Sequence, residues 1–119
     1  MRNFRKLDVW VDARQLVKEI YLLTSKLPQS EKFGLTSQIN RCVISIPANI
    51  AEGAAKDSRK DFIRFLQISL GSSYELETHI ILCADLKFID EENTEIIISK
   101  IQILQRRISA LINYNKKTL

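Results

Sequence analysis

The chain holds one histidine, His79, so any chemistry that needs an imidazole must be built on it. Glu75 stands four residues before it and Glu77 two before, so on a helix only Glu75 shares its face. A carboxylate-bridged di-metal site in a helical bundle needs Glu-x-x-His pairs, which aim both ligands at one inward side. No such pair occurs. Cys42 and Cys83 lie far apart, each inside an apolar helical pattern, with no C-x-x-C and a single His beside them. A zinc site therefore lacks ligands, and both cysteines read as buried free thiols. Nucleophilic catalysis would have to recruit Cys42, Ser45, Ser72 or Ser73 with His79 as the sole base. Gly34, Gly53 and Gly71 are isolated, so no glycine-rich phosphate loop is present. The expectation is no catalytic residue, no metal ligand and no cofactor.

Another set of residues is organised by spacing. Gln38, Arg41, Ser45, Asn49 and Glu52 recur at steps of three and four, as do Ser72, Glu75 and His79. Each row occupies one face of a helix. If the two helices pack antiparallel with these rows facing, Arg41 can pair with Glu75 or Glu52. A buried charge persists only when paired, and removing one partner costs about 3–5 kcal/mol. Arg41, Ser45, Asn49, Glu52 and Glu75 are therefore expected to form a structural polar network that sets register and assembly. The plainer alternative is a partly solvated face with no special role.

Helices must carry both rows, and the apolar periodicity supplies four, at about 8–27, 35–55, 59–86 and 91–114. Asp8 is placed to cap the first, whose seam is Val9, Ala13, Leu16, Ile20, Leu23 and Leu27. The second holds Ile39, Val43, Ile46 and Ile50, with Pro47 inside it. Proline lacks an N–H and its ring clashes with the carbonyl four residues back, so a kink or break is expected near Ser45–Pro47. Gly53 suits a left-handed position that ends this helix. Ser58 and Asp61 resemble a capping box for the third helix, and Asp90 can cap the fourth. The tail from Asn113 onward is expected to fray.

The segment RCVISIPANIAEG at 41–53, followed by Ser58, Phe62 and Phe65 and by GSSYELETHI at 71–80, resembles the four-helix bundle proteins encoded by intervening sequences in 23S rRNA genes. The accessory protein of diversity-generating retroelements is a relative with the same fold. The likeness extends from Phe4–Trp10 to about Tyr114. It implies a ring of five subunits, a homopentamer, and a link either to ribosomal RNA genes or to a reverse transcriptase that the protein would dock.

Independently of that likeness, 119 residues with three glycines and two prolines describe one domain, 1–119, of few long elements. The fold class expected is all-α, an antiparallel up-down-up-down four-helix bundle, because short connections force antiparallel neighbours. Helices two and three are apolar nearly all round, which a small monomer would leave wet. Self-association into a homo-oligomer follows; periodicity alone sets no subunit number.

No apolar run approaches the roughly 20 residues that span a bilayer. The basic start MRNFRKLDVW lacks the apolar core of a secretory signal, so a cytoplasmic protein without membrane contact is expected. The net charge of +4 is modest, but the topology divides it unevenly. One end gathers Arg2, Arg5, Lys6, Lys56, Arg59, Lys60, Arg64, Arg106, Arg107, Lys116 and Lys117 against Asp8, Asp12, Glu52, Asp57 and Asp61. The other end holds four basic residues against six acidic ones, Glu31, Asp85, Asp90, Glu91, Glu92 and Glu95. A basic end repeated around an oligomer attracts phosphate backbones without sequence preference. Lys56, Arg59, Lys60 and Arg64 are the first expected nucleic-acid contacts, with Arg107, Lys116 and Lys117 next. Few aromatic residues are interleaved with them, which disfavours base stacking. The partners expected are thus the protein itself and RNA or DNA. The rival reading is a scaffold whose partner is another protein and whose charge is incidental.

Overall fold

In the computed structural model, which describes residues 2–118, helices α1 (Asp8–Thr24), α2 (Leu35–Ala54), α3 (Arg59–Asp85) and α4 (Glu91–Lys117) form a four-helix bundle. Short 3-10 turns at Phe4–Lys6 and Gln29–Glu31 precede α1 and α2, and no strand occurs among the described residues. Of the expected span 1–119, Met1 and Leu119 lie outside the described residues.

The apolar rows meet as their spacing demands. Ala13 and Ile20 of α1, Ile39, Val43, Ile46 and Ile50 of α2, Leu66, Leu76, Ile80 and Cys83 of α3, and Ile101 and Ile108 of α4 are fully enclosed. α2 packs against α1 and α3, and α4 packs against α3 and α1. Side-chain bonds give the registers. Ser69 Oγ donates to Ile46 O (2.9 Å), and Cys42 Sγ donates to Ser72 O (3.0 Å), both between α2 and α3. Gln105 Nε2 reaches Glu77 Oε1 (2.8 Å) between α3 and α4. Lys100 Nζ pairs with Glu19 Oε1 (3.0 Å) and Arg107 with Asp12 between α1 and α4.

Several local expectations need correction. α1 begins with Asp8 inside its first turn and Leu7 at the cap, so Asp8 opposes the helix dipole without capping it. α1 also ends at Thr24 rather than Leu27. Thr24 Oγ1 bonds Tyr21 O and Asn40 Oδ1, and Ser25 Oγ bonds Leu22 O, satisfying the terminus early while Leu27 stays buried in the turn. α2 is not broken at Pro47. Carbonyls around the proline find side-chain donors: Ser45 Oγ on Cys42 O (2.6 Å), Asn49 Nδ2 on Ser45 O (2.8 Å), and Ser69 Oγ on Ile46 O.

Gly53 takes no left-handed conformation; it lies inside α2, buried. A Cβ there would stand 2.7 Å from Phe65 Cβ, so this glycine is required for close approach of α2 to α3. α4 runs on to Lys117 instead of fraying from Asn113. Asn115 is buried with Nδ2 on Leu111 O, and Thr118 bonds back to Tyr114 O and Asn115 O. The expected caps are present: Ser58 Oγ accepts from Asp61 N (3.1 Å) and Asp90 Oδ1 from Asn93 N (2.7 Å).

Candidate nucleic-acid interface

Three distant stretches of chain are tied together at one end of the bundle. Arg2 N donates to Ala54 O (3.2 Å) and Arg2 Nη1 to Lys56 O (3.0 Å), which holds the N-terminal segment on the α2–α3 turn. Arg59 Nη1 donates to Thr118 O, which holds the start of α3 against the end of α4. The basic residues of the turn, of the first turns of α3 and of the last turn of α4 thus belong to one surface. The positive end of the α3 dipole adds to it.

Aromatic rings brace this surface from below. Phe62 and Phe65 are buried, and cations lie over them: Arg2 over Phe62 at 4.2 Å, Lys56 over Phe65 at 5.1 Å and Arg64 over Phe65 at 4.8 Å. Their stems cover apolar surface while their charged heads stay near water. The rings are core, as their spacing implied, so they present no stacking platform. Tyr114 is the exposed aromatic side chain close to this end.

Arg59, Lys60, Arg64, Lys116 and Lys117 are exposed and Lys56 is half-buried. Arg107 is set apart: it lies ten residues before Lys117 along α4, about 15 Å at the usual helical rise. It is also paired with Asp12, so much of its charge is answered within the chain. Arg2 is the residue that spacing undervalued. It joins two segments far apart in sequence, and only their meeting reveals it.

The expected polar network does not form as drawn within one chain. Arg41, Glu52 and Glu75 are all exposed, and among the described residues Arg41 makes no ion pair. Glu75 Oε2 meets His79 Nε2 (3.2 Å) one turn along its own helix, while Ser45 and Asn49 bond to backbone carbonyls of α2. The reason is angular. The α2–α3 seam buries the Ile46 and Gly53 side of α2, and Arg41 and Glu52 lie beyond the rim of that seam.

Nothing at either cysteine suggests reactivity. Both are free and buried. Burial first, then the charge of Glu75 and a hydrogen bond with it, push the Cys42 thiol up to about 12. Burial and the charge of Glu31 raise that of Cys83. A nucleophilic thiolate needs the opposite shift. Among the described residues, no group of three or more His, Cys, Asp or Glu side chains could hold a metal ion. No helix there is long and apolar enough to cross a membrane.

The sequence pattern of the 23S rRNA-intervening sequence proteins matches residues 5–110. A crystal structure of a protein of unknown function from the S23 ribosomal protein family of Bacteroides thetaiotaomicron VPI-5482 is also similar. Its TM-score is 0.82 and its identity 29%, over 88% of this chain and 95% of that one. No curated protein matches the chain.

Proposed function

The chain belongs to the 23S rRNA-intervening sequence protein family, and we propose that it is a non-enzymatic homo-oligomer that binds structured RNA through the basic end of its bundle. The observation that carries this reading is the convergence at that end. Arg2 on Lys56 O and Arg59 on Thr118 O draw three basic segments into one surface. Phosphate attraction to such a surface is independent of sequence and scales with the cations presented together. The family name, which ties its members to ribosomal RNA genes, favours RNA over DNA.

In this reading the bundle is antiparallel, up-down-up-down. The opposed registers support it, since Asp12 meets Arg107 while Glu19 meets Lys100. Copies assemble side by side into a ring, so that the basic ends face one way and their charge is multiplied. The protein works in the cytoplasm. Lys56, Arg59, Lys60 and Arg64 make the main phosphate contacts, with Lys116 and Lys117 beside them. Arg107, paired with Asp12, contributes least.

The test is a binding titration of nuclease-treated protein against structured RNA and duplex DNA, at low and near-physiological salt. The expected result is affinity for RNA that falls steeply with salt and is lost when Lys56, Arg59 and Lys60 are all changed to Glu. Absence of binding even at low salt would overturn the reading. The basic end would then be ordinary surface, on a scaffold whose partner is a protein.

A further inference from the structure

Gly71 lies near the middle of α3, a helix of 27 residues. Glycine is the least favoured residue in a helix interior apart from proline. Gly53 has a reason inside the chain, since a Cβ there would collide with Phe65. Gly71 has none: an added Cβ would meet nothing within 4 Å. Its neighbours are equally unexplained. Ile68 lies one turn before it and is 44% exposed, and Leu82 is 42% exposed further along α3. The bonds Ser69–Ile46 and Cys42–Ser72 set Ile44, 45% exposed, at the level of Gly71 across the α2–α3 seam. Exposed β-branched and leucine side chains around a mid-helix glycine describe a surface to be covered.

The charges on the same face indicate what covers it. Arg41 is exposed without an ion pair among the described residues, yet carboxylates lie on the same outer side, Glu52 on α2 and Glu75 on α3. His79, beside Glu75, has a buried Nδ1 with no hydrogen-bond partner there. A face that carries both signs at separate places is complementary to itself. We infer that a second copy of this chain packs on the outer face of α2 and α3, with Gly71 leaving room for its close approach and its Glu75 or Glu52 answering Arg41. The inference rests on the proposed self-association and says where it happens.

The closing experiment measures mass by light scattering for wild type, Gly71→Gln, Arg41→Glu, Glu75→Arg and the last two combined. Helicity by circular dichroism is followed in parallel. The open space at Gly71 lets Gln be accommodated within the chain, so helicity is expected to hold while the oligomer dissociates at least tenfold more readily. Each charge reversal is expected to weaken the oligomer, and the combination to recover part of the loss. An oligomer of unchanged mass and stability in Gly71→Gln and Arg41→Glu would overturn this face and leave self-association standing. A monomeric wild type would overturn both.

Discussion

The two ends of the bundle are built by different means. At the end where α2 passes into α3, backbone and side-chain bonds from Arg2 and Arg59 lock separate segments together, and cations lie over buried rings. At the end where α3 passes into α4, the chain turns through Lys87, the residue among those described with positive φ outside glycine, at 65°. Asp90 then caps α4 with Glu91 and Glu92 in its first turn. Phe33 stands 90% exposed in the turn before α2. One end gathers positive charge by tertiary contact; the other gathers negative charge by local helix-starting chemistry. Charge placed by tertiary contact depends on the fold being intact, whereas charge placed by a cap is local.

The largest expected contrast is in binding. Reversing Lys56, Arg59 and Lys60 to Glu should lower RNA affinity by at least about a hundredfold, given that each phosphate contact contributes a salt slope of about 0.9. Reversing Glu91 and Glu92 to Lys should leave it within about threefold. The bundle is 45 Å long, several times the screening length of about 8 Å at physiological salt. Equal effects at both ends in a salt-controlled titration would erase the distinction drawn between them.

Stability should divide the ends next. Gly53→Ala forces a Cβ into Phe65 and should cost about 1–3 kcal/mol in chemical denaturation, as overpacking does. At the other end Asp90→Ala removes a cap bonded at 2.7 Å and should cost about 1 kcal/mol, with RNA binding unchanged. The smallest effect is a gain. Lys87→Gly relieves the left-handed backbone and should stabilise by up to about 1 kcal/mol, offset in part by a more flexible unfolded chain. A loss on that substitution would mean that the Lys87 side chain contributes more than its strain.

Much of this was legible in the chain. The buried seam of α3, Phe62, Leu66, Ser69, Ser73, Leu76, Ile80 and Cys83, follows from helical spacing, because periodicity reports which face is dry. Caps at Ser58 and Asp90 follow from residue type one step before an apolar row. The helix ends were less legible. At Thr24 and at Asn115 the outcome rests on side chains that bond back to nearby carbonyls, a competition that composition alone does not decide. Pro47 misled because the donors that accommodate it include Ser69, from another helix. Arg41 misled because pairing rows by spacing ignores how far around α2 the seam turns.

By itself, the sequence determined the helical class, the apolar seams, the caps and the unequal count of charges, all set by residues within a turn or two of one another. Tertiary structure alone decided what two glycines are for, since whether a missing Cβ avoids a clash depends on what lies opposite. It also decided that Arg2 belongs with Lys56, and that Arg41 is left without a partner in its own chain. Those are properties of surfaces brought together, and no local spacing encodes the distance between them.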